Sequence, residues 1–152
     1  LCHQVHGSGN DRLLKHQHSQ TYGALEGKED YALCFSCHDK KLVSAERTHA
    51  VTDFRNGDVN LHFVHVNRPK SRSCNICHAP HVAESVHLLR KSFPFGPSGW
   101  DLRIDWQKTD NGGTCSAGCH DAFEYDRMTA VKFIPETAPD KVPYSAPDKS
   151  KP

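Results

Sequence analysis

The chain has 152 residues, 36% of them hydrophobic and 24% charged, and 19 Lys and Arg against 18 Asp and Glu give a formal charge of +1. That length suits one domain, but a mean hydropathy of −0.68 leaves little material for an ordinary protein core. There is no basic surplus for nucleic acid and no apolar run approaching a membrane span, which excludes a nucleic-acid partner and a transmembrane segment within this chain.

In chain order, the first 30 residues hold Gly7, Gly9, Gly23 and Gly27 among few apolar positions and read as loop. They open Leu1-Cys2-His3, with His6 three residues beyond His3. Cys34-Phe35-Ser36-Cys37-His38 follows. Lys40 to Ala50 is the best short helix candidate, since Leu42, Val43, Ala45 and Glu46 suit helix and the β-branched Val51-Thr52 lies just beyond. Arg55-Asn56-Gly57-Asp58 is a turn signal. Leu61-His62-Phe63-Val64-His65-Val66 stands just upstream of Cys74-Asn75-Ile76-Cys77-His78, after which His81 again follows three residues beyond the histidine. Val82, Val86 and Leu89 recur at helical spacing and predict a helix from Ala79 to Lys91.

Phe93-Pro94-Phe95-Gly96-Pro97-Ser98-Gly99 should break regular structure. Leu102, Ile104 and Trp106 then alternate with Arg103, Asp105 and Gln107 as a half-buried strand does. Cys115-Ser116-Ala117-Gly118-Cys119-His120 comes next. From Pro135 onward there are five prolines in 18 residues, with Lys141, Lys149 and Lys151 and few large apolar groups. Residues 1–134 are taken as the domain, and 135–152 as a Pro-rich extended tail that cannot fold alone and is expected to lie against an adjacent subunit or partner.

Three cysteine pairs are each closed immediately by a histidine, the attachment pattern of c-type haem. Two thiols add to the vinyl groups of one porphyrin, and the adjacent imidazole reaches its iron. Attachment therefore falls to Cys34, Cys37, Cys74, Cys77, Cys115 and Cys119, with His38, His78 and His120 as proximal ligands. The third motif has one residue more between its cysteines. Leu1-Cys2-His3 reads as the end of a fourth motif cut through by the start of the sequence, its other cysteine upstream, so Cys2 and His3 join the set. Four haem c groups are thus expected, three on complete motifs. Zinc knuckles also use paired cysteines, but nothing in zinc chemistry requires the histidine. Its chance appearance after Cys2, Cys37, Cys77 and Cys119 together is on the order of 10⁻⁵.

Haem supplies the apolar area that the composition lacks. Sharing 152 residues among four haems leaves 38 for each, too few for a separate core around every porphyrin, so the macrocycles must pack on one another. The strand at Leu102 to Trp106 is expected as a lid over one porphyrin face. Four ferric haems with ionised propionates would bring the charge to about −3. Thioether attachment takes place outside the cytoplasmic membrane, which predicts a periplasmic or extracellular protein.

Twelve histidines less four proximal ones leave His6, His16, His18, His49, His62, His65, His81 and His87, while Met128 is the only methionine. One thioether cannot serve as the general sixth ligand, so bis-histidine coordination is expected, with potentials below those of Met/His cytochromes. His6 and His81 follow a committed proximal histidine by three residues and are free to reach a different haem. His62 and His65 are spaced to serve two irons from one segment. These four are the predicted distal ligands. His16, His18, His49 and His87 are read as surface or local hydrogen-bonding residues, and Arg68, Lys70 and Arg72 as propionate partners or a solvated basic loop.

Asn60 to Asn67 followed by Cys74 to His81 resembles the multihaem cytochromes grouped by a doubled Cys-x-x-Cys-His motif. Ala32 to His38, Phe54 to Asp58, Phe95 to Trp100, Gly112 to Cys115 and the opening Cys2 to His6 extend the resemblance. It implies an extracytoplasmic electron carrier with closely stacked haems. The expected architecture is mostly irregular and α, with little regular secondary structure, compact around those haems. Electron transfer with redox partner proteins or copies of itself, alone or within a filament or larger complex, is the expected function. The alternative is a multihaem reductase of a small inorganic substrate. That activity needs an open iron, which eight spare histidines make unnecessary, and no Lys-containing attachment motif occurs.

Overall fold

The computed structural model describes residues 2–19, 31–67, 72–81 and 85–132; the Pro-rich tail, Arg68, Lys70 and Val82 lie outside the described residues. Antiparallel sheet, not helix, is the main regular structure, which corrects the expected mostly irregular, α-based fold: about 29% of the described residues are strand and 21% helical. Short helices α1 (Ala32–Phe35) and α2 (Lys41–Ser44) lead to a small hairpin of β1 (Arg55–Asn56) and β2 (Val59–Asn60), then α3 (Leu61–Val66). A meander follows: β3 (Ser92–Phe95), β4 (Trp100–Lys108), β5 (Gly112–Ala117) and β6 (Phe123–Asp126), hydrogen-bonded in that order. Among the described residues no helix is long and apolar enough to cross a membrane.

The sheet runs through segments that read as breakers. Pro94 sits opposite Asp101 in β3, which among the described residues is an edge strand paired with β4 alone, where a missing N–H can face away from the ladder. Gly112 opens β5 beside β6 so closely that a Cβ there would lie 1.9 Å from the Tyr125 carbonyl oxygen, a tight approach that only glycine permits. The alternating face of β4 is turned inward. Leu102 and Ile104 are buried in the protein's own core with Ile76 and Phe93, and Cys77 and Phe95 pack on that cluster. The core thus forms beneath an attachment cysteine.

Neither predicted helix forms at its expected length. α2 stops at Ser44, and Ala45 is extended. Within 79–91 the described residues hold only a 3-10 turn, Val86–Leu88, which folds back on the preceding Cys-His segment. In the first case a tertiary bond claims the carbonyls: Asn60, fully buried, donates to Leu42 O at 2.9 Å and Ala45 O at 2.8 Å. The same side chain caps α3, accepting from His62 N at 3.0 Å and Phe63 N at 3.4 Å. Asn60→Ala should therefore destabilise the protein by about 2–4 kcal/mol, through a lost cap and two part-buried carbonyls left without their donor. Denaturant unfolding of the holoprotein measures this, and a change below about 1 kcal/mol would remove Asn60 as an anchor of α3.

Candidate haem-attachment site

The first two complete motifs share one backbone pattern. The Cys34 carbonyl accepts from Cys37 N at 3.2 Å and His38 N at 3.0 Å; the Cys74 carbonyl accepts from Cys77 N at 3.3 Å and His78 N at 3.0 Å. The third motif is built differently. Cys115 lies within β5, the strand runs on to Ala117, and His120 N donates to Ala117 O at 3.1 Å across a final turn. The extra residue is the strand's extension. No two of the seven cysteines form a disulfide. Cys74 holds the neighbouring Cys34 thiol down at about 7, while Cys74 itself is pushed up by Cys34 and by burial. Burial pushes Cys77 up to about 11, with Cys115 and Cys119 in electrostatic range.

The segments after Cys2-His3 and Cys77-His78 form a repeat that sequence reasoning missed. Lys15 N bonds Cys2 O at 2.9 Å as Arg90 N bonds Cys77 O at 2.9 Å; Gln4 N bonds Leu13 O at 2.7 Å as Ala79 N bonds Leu88 O at 2.9 Å. His3 Nδ1 donates to Arg12 O and His78 Nδ1 to His87 O, both at 2.9 Å. Arg12, Leu13, His87 and Leu88 all take positive φ. The signal available in sequence was Leu13-Leu14-Lys15 against Leu88-Leu89-Arg90, at the same distance beyond each Cys-His.

Six of the eight predicted ligands meet in pairs. His62 and His78 have ring centres 6.4 Å apart and planes 19° from parallel; His65 and His120 are 6.4 Å apart, and His3 and His81 5.9 Å. Two imidazoles sharing one metal through bonds of about 2 Å should have centres about 6 Å apart. Among the described residues no three His, Cys, Asp or Glu side chains converge as a protein-built metal site would require. The histidines meet in twos, the arrangement that suits a macrocycle supplying the remaining ligands. His6 and His38 are exposed and in no ring pair among the described residues.

Backbone carbonyls set the tautomers. Besides His3 and His78, His65 Nδ1 donates to Leu61 O and His120 Nδ1 to Asp121 O, both at 2.6 Å. A carbonyl only accepts, so Nδ1 carries the proton and Nε2 keeps its lone pair for a metal. His62 Nδ1 pairs with Thr52 Oγ1 at 3.2 Å, and burial, then the charges of His78, His65 and His38, lower its pKa to about 4. Burial also lowers that of His78. Both rings are therefore neutral near pH 7, the form that ligates. Phe54 stands against both histidine rings of α3, edge-on to His62 at 5.1 Å and stacked on His65 at 5.7 Å. Phe54 and Thr52 position these two rings, and no spacing in the sequence marked that role.

The other candidates serve locally. His87 contributes its carbonyl to His78 and its ring to Trp106 at 6.0 Å; His16 and His49 are exposed, and His18 is half-buried. Arg72 lies over the Phe95 ring and Arg90 over Phe93. Trp106 Nε1 donates to Tyr125 OH at 3.0 Å. Leu13 and Leu88 occupy the same place in the two repeats and are 45% and 50% exposed, apolar surface that an adjoining porphyrin can cover.

Residues 1–42 match the family model described as "Doubled CXXCH motif". This segment carries the paired attachment motif of multihaem c-type cytochromes, which binds haem c covalently and points to electron transfer. Comparison with curated proteins gives no match, and comparison with solved structures gives none.

Proposed function

We propose that the chain is an electron-transfer protein holding four haem c groups, each between two imidazoles, outside the cytoplasmic membrane. The observation that carries this reading is the meeting of His62 with His78, His65 with His120 and His3 with His81 at the spacing of axial partners. His38 and His6 complete the set. Bound haem supplies one-electron chemistry at iron; the chain fixes its position and potential and excludes other ligands. Thioethers from Cys34/Cys37, Cys74/Cys77, Cys115/Cys119 and Cys2 would tether the groups, and the imidazoles, four of them oriented by backbone carbonyls, would ligate the irons. Redox proteins or further copies of the chain are its partners, in the periplasm or outside the cell, within a filament or a larger complex.

Intact mass together with a pyridine haemochrome assay should count four covalent haems. Spectra should be low-spin in both redox states, with little carbon monoxide bound to the reduced protein. Two haems or fewer, or stoichiometric zinc, would sink the reading. One equivalent of bound carbon monoxide in intact protein would support the reductase instead, because that activity needs an open iron.

A further inference from the structure

We infer that Thr52 and Arg90 set the haem held by His62 and His78 at a higher reduction potential than the haem held by His65 and His120. The inference rests on the reading of these two histidine pairs as axial partners. Each pair takes one ring from α3, so a single short helix spans the potential step.

The first difference lies in what each Nδ1 meets. In the His65 pair both partners are backbone carbonyls, Leu61 O and Asp121 O, at 2.6 Å. A carbonyl that accepts from Nδ1–H pushes electron density onto the imidazole, makes it a more basic ligand and so favours the ferric state. In the other pair only His78 has a carbonyl, His87 O at 2.9 Å. His62 meets the Thr52 hydroxyl at 3.2 Å, and that oxygen already accepts from Phe54 N at 3.0 Å. A hydroxyl that is more distant and already shared draws less on Nδ1–H than a carbonyl does.

The second difference is charge. Arg90 Nη2 donates to the His78 carbonyl at 3.0 Å, and its guanidinium lies over the buried Phe93 ring. Among the described residues its buried Nε has no hydrogen-bond partner and no carboxylate forms an ion pair with it. Reduction adds one electron at iron and removes one positive charge from the site, and a fixed cation beside it favours that change. Both differences act in the same direction.

Haem count and spin state of the holoprotein are measured first, and an NMR-monitored redox titration then gives each midpoint. His62→Met and His65→Met identify the two haems by the signals they move, and nuclear Overhauser contacts from the Thr52 methyl identify the first independently. The His62 haem should have the higher midpoint in the unsubstituted protein. Thr52→Val should raise it further, and Thr52→Ser should leave it in place. Arg90→Gln should move the same haem about threefold or more toward its oxidised form at a given potential, and Arg90→Lys should keep most of the original value. A His65 haem with an equal or higher midpoint would overturn the inference. So would equal shifts from Thr52→Val and Thr52→Ser, or from Arg90→Gln and Arg90→Lys, because these would report a disturbed structure and neither the hydroxyl nor the charge. A high-spin or missing haem at either site would overturn the axial-pair reading and this inference with it, whereas reversed midpoints at two low-spin haems overturn this inference alone.

Discussion

Replacing His62 by Ala should leave all four haems attached but turn one of them high-spin, with one equivalent of carbon monoxide bound on reduction. His62 faces His78, and its ring is fixed from three sides: Asn60 caps its helix, Thr52 bonds Nδ1, and Phe54 meets the ring edge-on. Alanine removes the imidazole and leaves that scaffold. Exchange of an imidazole for a weaker ligand such as water should also raise the potential of that haem. Electron paramagnetic resonance of the oxidised variant and a carbon monoxide titration would show the change. A spectrum that stays wholly low-spin would mean that His78 shares its iron with another residue.

His81→Ala should have the second large effect, and at a different place. His81 belongs to one copy of the repeat and faces His3 of the other, so its loss should open the Cys2 haem and cut a tie between the copies. A lost tie of this kind costs about 1–3 kcal/mol, a fall in Tm of roughly 2–10 °C for a chain of this size. Calorimetry and spin-state spectroscopy on one sample would test both parts. High-spin iron without any loss of Tm would reduce His81 to a ligand with no structural role. An unchanged spectrum would remove it from the coordination of His3.

The chemistry of this chain was legible because covalent attachment writes itself in consecutive residues: two thiols and an imidazole must sit within a few positions of one another. The candidate distal histidines also stood out, by three-residue offsets at His6 and His81 and by the His62/His65 pair. Which ring meets which is tertiary, however, and no local spacing encodes that His81 turns back to His3. The fold was misread for a related reason. Pro94 and Gly112 carry strong local signals for breaks, yet an edge position and a close strand approach turn both into sheet residues. The helices predicted at 40–50 and 79–91 lost to tertiary bonds, Asn60 taking the carbonyls after α2 and the Cys77-His78 backbone drawing in the segment around Leu88.

The left-handed turns of the two repeats carry a stability cost. Arg12, Leu13, His87 and Leu88 have φ of 57°, 58°, 59° and 56°, a region costing roughly 1–2 kcal/mol for each residue that has a Cβ. A whole domain has only about 5–15 kcal/mol of net stability. A chain so short of apolar core has little to set against that burden, and covering the half-exposed Leu13 and Leu88 on the same turns would offset part of it.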